Sequence, residues 1–83
     1  MDVTYQLAVL KALKSMPRAD AERLSSALRQ VADSHPDRIS FVTELVGGQG
    51  TWRLRKGDYR ALYRIEGNSL VVLEVGHRGE IYR

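Results

Sequence analysis

Cysteine is absent from this 83-residue sequence, and only two histidines are present, His35 and His77. Without cysteine there is no disulfide and no thiolate metal ligand, and two histidines so far apart do not supply the ligand spacing of a zinc site. We therefore expect no structural metal, and no motif points to a cofactor.

Long hydrophobic runs are lacking as well. The sequence begins Met-Asp-Val-Thr-Tyr, with no basic segment leading into an apolar one, and no stretch approaches the ~20 apolar residues that cross a bilayer. We expect neither a signal peptide nor membrane contact, and hence a cytoplasmic protein. No repeat, low-complexity tract or linker divides the chain, so residues 1–83 are predicted to form one domain.

Charge is distributed unevenly along the chain. Thirteen Lys and Arg against ten Asp and Glu give a formal net charge of +3, and basic residues outnumber acidic ones from Arg53 onward. Such segregation suits a polyanionic partner, either nucleic acid or an acidic protein, although a solvated basic face without a partner gives the same pattern.

The stretch 52–66 predicts two β-strands joined at Gly57-Asp58, because successive strand residues point to opposite faces. A third strand is predicted after Gly67-Asn68-Ser69, a tight-turn composition. The apolar sets expected on a common core face are Trp52 and Leu54; Tyr59, Ala61, Tyr63 and Ile65; and Val71, Leu73 and Val75. The opposite face then gathers Arg53, Arg55, Arg60, Leu62, Arg64, Val72, Glu74, Gly76 and Arg78.

The N-terminal half predicts a short edge strand over Asp2–Tyr5 and two helices, Gln6–Ser15 and Arg18–Asp33, separated by Pro17. Their apolar stripes are Val9, Leu10, Leu13 and Met16 in the first helix and Ala21, Leu24, Leu28 and Val31 in the second. Arg38–Gln49 is expected to be a packed connection that ends in a flexible loop. The predicted fold is α+β: a helical hairpin packed on one face of a small, mainly antiparallel, three- to four-stranded twisted sheet.

Three motifs in the C-terminal part resemble the RelE/ParE toxin superfamily of type II toxin-antitoxin systems. They are Asp-Tyr-Arg at 58–60, Gly-His-Arg at 76–78 and Ile-Tyr-Arg at 81–83, within the longer similar stretch 52–83. The first half of the chain agrees with this family only in its layout. The resemblance implies the same fold as the one predicted above.

The RelE branch of the family implies a toxin that enters the ribosomal A site and cleaves mRNA by attack of a 2′-hydroxyl on the phosphate. Its partners would be the ribosome, mRNA and an acidic RelB-like antitoxin, with which it would form a hetero-oligomer. The ParE branch implies inhibition of DNA gyrase instead. A relative that has lost toxicity and only binds partners is a third reading.

By position, Arg60 matches the central-strand arginine of the family, Arg78 the second arginine and Tyr82 the C-terminal tyrosine, which makes these the predicted catalytic residues. Arg53 and Arg55 stand where well-known RelE members carry lysines. They keep the charge for binding RNA phosphates, but a guanidinium does not give up its proton.

The general base of such a reaction is therefore open, and two residues are candidates. Glu74 falls on the same predicted face of the sheet as these arginines, and it is either a base or the charge partner of Arg60 or Arg53. His77 belongs to the residue type most often used for acid–base catalysis, but its strand parity puts it on the core face unless the strand bulges at Gly76. A structural role is the expected one for this histidine.

Overall fold

In the computed structural model the described residues are 1–34, 42–44 and 50–81, with the backbone alone at positions 44, 80 and 81. Their elements are, in chain order, β1 (Asp2–Tyr5), α1 (Leu7–Ser15), α2 (Arg18–Ser34), β2 (Val42–Glu44), β3 (Thr51–Lys56), β4 (Tyr59–Glu66), β5 (Ser69–His77) and α3 (Arg78–Ile81). No helix in these ranges is long and apolar enough to cross a membrane.

The strands form one sheet in the order β1-β5-β4-β3-β2. β1 runs parallel to β5, and the other neighbouring pairs are antiparallel. The predicted α+β fold, with a helical hairpin on one face of a mainly antiparallel sheet, is confirmed. The sheet has one strand more than expected, because β2 forms within the stretch that was predicted to be a connection; its Val42 pairs with Leu54.

Proline separates the two helices in the predicted way. Met16, the residue before Pro17, is extended at φ −91° and ψ 160°, as the proline ring requires of its predecessor, and α1 ends there. The carbonyl of Pro17 then accepts the Ala21 N–H at 3.0 Å in the first turn of α2. Pro17 therefore both stops one helix and begins the next.

The core lies between the helices and one face of the sheet. Val9 is the buried residue of α1, whereas Leu10, predicted to lie on its apolar stripe, is 41% exposed. The buried residues of α2 are Leu24, Ala27, Leu28, Val31 and Ala32. From the sheet, Leu54, Ala61, Tyr63, Leu70, Val72 and Val75 complete the core.

Tyr63 and Trp52 are cross-strand neighbours on this buried face. Trp52 packs partly buried against the core, as predicted, and Tyr63 is almost fully buried. Burial raises the pKa of the Tyr63 phenol to about 12, because the phenolate would lose its hydration. Both rings therefore have the structural role that their strand positions indicated.

A β-bulge in β5 changes which of its side chains face the core. Leu62 pairs with Glu74 and the next residue of β4, Tyr63, pairs with Val72, so Leu73 is the extra residue on β5. Before the bulge Val72 is buried, and after it Val75 is buried. Strict alternation predicts Val71 and Leu73 in the core and Val72 on the opposite face of the sheet. This prediction is wrong, because the extra residue exchanges the two faces for the β5 residues that precede it.

Candidate functional site

The arginines of β3 and β4 occupy the sheet face that the helices leave uncovered. Leu54 lies opposite Ala61, and both are fully buried against the helices. Alternation then turns Arg53 and Arg55 to the other face, where Arg55 lies directly opposite Arg60. The predicted gathering of these three arginines on one face is confirmed by the strand register; we call this the arginine face.

The side chain of Arg60 was expected to face solvent, but it is buried. It is only 7% exposed, and its Nη1 donates hydrogen bonds to the carbonyl oxygens of Gly57 at 2.8 Å and Tyr59 at 2.9 Å. These charge-assisted bonds compensate part of the hydration that the guanidinium loses on burial. Arg60 therefore holds the tight turn between β3 and β4.

The same turn is joined to the first residue of α3. Gly57 has φ +60°, a left-handed conformation that glycine adopts at little cost, and this lets the chain reverse within two residues. The carbonyl of the next residue, Asp58, accepts the backbone N–H of Arg78 at 2.9 Å. Arg78 had been expected to extend β5, but the strand ends at His77, and Arg78 begins α3 beside the turn.

Two arginine side chains at this end of the sheet are exposed and uncommitted. Arg55 comes just before the turn, and Arg78 is tied to the turn through its backbone. Within the described ranges neither guanidinium makes a hydrogen bond or an ion pair, whereas Arg64, further along β4, is paired with Glu66. Arg55 and Arg78 are therefore available to an external anion.

Lys56 ends β3 on the opposite side of the sheet. It lies across from Tyr59, whose ring packs against the core, and it lines an open groove of about 410 Å³ together with side chains of α2. Lys56 thus belongs to the helix side and does not extend the arginine face.

His77 also lies on the helix side, as its parity indicated. Its ring meets that of its cross-strand partner Tyr59 edge to face, with centroids 5.6 Å apart and an interplanar angle of 86°. Its Nδ1 accepts the N–H of Gly79 at 3.4 Å. The side chain is exposed at the edge of that face, and the strand bulges at Leu73 and not at Gly76.

Glu74 lies on the arginine face, exposed and opposite Leu62. It forms no ion pair with any residue in the described ranges, so in this structure it is not the charge partner of Arg60 or Arg53. Tyr82, the remaining predicted catalytic residue, lies outside the described residues. No group of three potential metal ligands comes together in the part of the chain that the structure describes.

The contribution of the turn backbone was not foreseen. The carbonyls of Gly57, Asp58 and Tyr59 connect Arg60 to the start of α3. Backbone carbonyls are present at every position and carry no signal of their own in a sequence. Only the Gly57-Asp58 turn composition hinted that this point is constrained.

Comparison with known proteins places this arrangement in a family. The family model described as the ParE toxin of the type II toxin-antitoxin system parDE matches residues 3–82. The chain belongs to the RelE/ParE superfamily of type II toxin-antitoxin toxins. Toxin RelG of Mycobacterium tuberculosis is 53% identical over 36 residues, a match that spans 41% of this chain and 41% of RelG.

Solved structures of toxin-antitoxin proteins share the RelE/ParE fold. The archaeal RelE-RelB complex from Pyrococcus horikoshii matches at 31% identity and a TM-score of 0.75, over 94% of each chain. The RelB-RelE complex from Methanococcus jannaschii matches at 21% identity and a TM-score of 0.78, covering 95% of this chain and 94% of the other. The isolated E. coli RelE toxin matches at 21% identity and a TM-score of 0.77, covering 92% of this chain and 82% of the other. At 21% identity the last two show the fold alone.

Proposed function

We propose that this toxin is a ribosome-dependent mRNA endonuclease, which inhibits translation by cleaving mRNA in the A site through attack of a 2′-hydroxyl on the adjacent phosphate. One observation carries the proposal. Arg55 and Arg78 are exposed at the same end of the sheet, where the turn held by Arg60 meets α3, and their guanidinium groups make no hydrogen bond or ion pair with the residues that the structure describes.

The reaction requires charge to be stabilised at the phosphorus as its coordination expands. A guanidinium presents paired N–H donors that match phosphate oxygens, so Arg55 and Arg78 bind the scissile phosphate and stabilise its transition state. Arg53, two residues from Arg55 on the same face, contacts the same phosphate from the next cross-strand row. Arg60 supports them by fixing the turn, since its Nη1 is engaged with two backbone carbonyls.

Tyr82 follows α3 directly in the sequence. Single-stranded RNA is commonly recognised by stacking of its splayed bases on aromatic rings. In the proposed mechanism Tyr82 stacks on a base of the bound codon and so sets the position of the scissile phosphate relative to Arg78.

The proposed protein partner is an acidic, RelB-like antitoxin that covers the arginine face and forms a hetero-oligomer with the toxin. Two of the similar solved structures are complexes of RelE with RelB. An open cationic face would attract RNA without selection, and an acidic cover would suppress this attraction.

A second function, inhibition of DNA gyrase, is favoured by the match to the ParE toxin family model. In this alternative the sheet face and α3 form a contact surface and carry out no chemistry.

Two assays run in parallel separate the two functions. Purified toxin is added to a translating extract, and the mRNA ends are mapped; the same preparation is added to gyrase, and DNA supercoiling is measured. The proposal predicts new mRNA ends within ribosome-bound codons and unchanged supercoiling. Intact mRNA together with blocked supercoiling would instead establish the gyrase alternative.

A further inference from the structure

The proposed cleavage needs a group that takes the proton of the attacking 2′-hydroxyl, and the arginines cannot serve. A guanidinium stays protonated in proteins, so Arg53 and Arg55 can stabilise negative charge but cannot accept a proton. Lys56 faces α2, on the other side of the sheet. The family resemblance leaves this role unassigned in the present chain.

His77 is poorly placed for that role. It lies on the helix side of the sheet, edge to face with Tyr59, and not on the arginine face. Its Nδ1 also accepts the N–H of Gly79 at 3.4 Å, so one of its two ring nitrogens is engaged within the chain.

The bulge at Leu73 brings a carboxylate to the arginine face instead. Because Val72 is in the core, uninterrupted alternation would also turn Glu74 toward the helices; the extra residue sends it to the open side, opposite Leu62. Bulges often re-aim a side chain next to an active site. Here the bulge places an exposed acceptor in the same cross-strand row as Arg53.

The spacing of this row suits a phosphodiester. Arg53, Leu62 and Glu74 lie side by side on β3, β4 and β5, so the backbones of Arg53 and Glu74 are about 10 Å apart across the sheet, two strand spacings. Glu74 and Arg60 are diagonal neighbours, about 7–8 Å apart. The arginine and glutamate side chains can therefore reach the phosphate and its 2′-hydroxyl from opposite sides of Leu62.

Other carboxylates on this face are less well placed. Glu66 shares the face but is ion-paired with Arg64 at the far end of β4. Asp2 lies at the same far end, opposite Ser69. Among the described residues, Glu74 is the carboxylate of this face that combines proximity to the Arg53 and Arg55 rows with freedom from an ion pair.

We propose that Glu74 is the general base of the cleavage reaction, an assignment that rests on the proposed endonuclease function. The Glu74 carboxylate takes the 2′-hydroxyl proton while the 2′-oxygen forms a bond to phosphorus. The bond from phosphorus to the 5′-oxygen breaks, and that oxygen takes a proton from water. The products are a 2′,3′-cyclic phosphate and a 5′-hydroxyl, and Glu74 returns its proton to solvent.

The test is single-turnover cleavage of mRNA on programmed ribosomes by Glu74→Gln, with Glu66→Gln as the matched control on the same face. Loss of a general base lowers such rates about 10²- to 10⁴-fold. We expect a loss of this size in Glu74→Gln, with unchanged thermal midpoint and ribosome binding, and no loss in Glu66→Gln.

Two results would overturn the assignment, and they differ from each other. If wild type cleaves mRNA and Glu74→Gln cleaves at a similar rate, Glu74 is not the base, while the endonuclease function stands. If wild type does not cleave mRNA on ribosomes, the proposed function fails and the assignment fails with it.

Discussion

The backbone N–H of Arg78 donates a hydrogen bond to the carbonyl oxygen of Asp58, over 2.9 Å. This bond joins the first residue of α3 to the β3–β4 turn, which Arg60 holds from the other side through the carbonyls of Gly57 and Tyr59. Arg60 and the backbone of Arg78 are therefore joined through the same turn.

Arg60→Ala should loosen the turn and the start of α3 together. Loss of hydrogen bonds from a buried charged group costs about 1–3 kcal/mol, and the Arg78 amide should then exchange its hydrogen faster than in wild type. Hydrogen exchange read by NMR measures this directly. The control is Arg64→Ala, which removes an exposed arginine of the same strand; equal protection of the Arg78 amide in Arg60→Ala and wild type would disprove the coupling.

Arg78→Ala should remove a donor that is needed only as charge develops on the phosphate. Removal of one such donor typically costs about 3–4 kcal/mol of transition-state stabilisation, so we expect a 10²- to 10³-fold loss of single-turnover cleavage with ribosome binding retained. Arg78→Lys should recover little, because an ammonium lacks the planar fork. Undiminished cleavage by Arg78→Ala would remove this residue from the site.

Leu70→Ala and Leu73→Ala test the bulge in β5. Leu70 is fully buried, so its truncation should cost roughly 2–5 kcal/mol of unfolding free energy through lost burial and a cavity. Leu73 is the half-buried bulge residue, so its truncation should lower the unfolding free energy clearly less. Urea unfolding of both variants measures the difference, and a larger loss for Leu73→Ala would mean that strict alternation and not the bulge describes this strand.

Arg55→Glu should slow association with the antitoxin, because opposite charges steer an acidic partner toward the arginine face. Stopped-flow association rates at several salt concentrations would show this, with rates falling as salt rises. Arg18→Glu is the control, since Arg18 is also exposed, lies on α2 away from the arginine face and pairs locally with Glu22. An association rate that ignores both salt and Arg55→Glu would mean that the antitoxin binds elsewhere.

Much of the fold follows from local sequence patterns. Proline at position 17 and two apolar stripes were enough to place both helices within a residue or two, and β-branched and aromatic residues marked β1 correctly. β2 was missed because three residues beside a glycine-rich stretch are too short to show alternation. Its strand conformation depends on pairing with β3, a contact that is distant in the sequence.

The candidate site was predictable only in part, for a similar reason. Alternation correctly placed Arg53, Arg55 and Arg60 on one face, since β3 and β4 pair without interruption there. It could not reveal that Arg60 is buried on turn carbonyls or that a bulge reverses the parity of β5. Alternation assigned Glu74 to the correct face but assigned Val71 and Val72 to the wrong ones. The reason is that the bulge at Leu73 lies between Val72 and Glu74.

The central claim, 2′-hydroxyl attack on a ribosome-bound mRNA, is tested most directly by changing that hydroxyl. Ribosomes are programmed with matched mRNAs whose three A-site nucleotides are either all ribose or all 2′-deoxyribose, and cleavage by the wild-type toxin is followed in a single turnover. The account predicts that the ribose codon is cut, leaving a 2′,3′-cyclic phosphate and a 5′-hydroxyl, while the deoxyribose codon stays intact with the toxin bound. Equal cleavage of both mRNAs, or cleavage of neither, would contradict it.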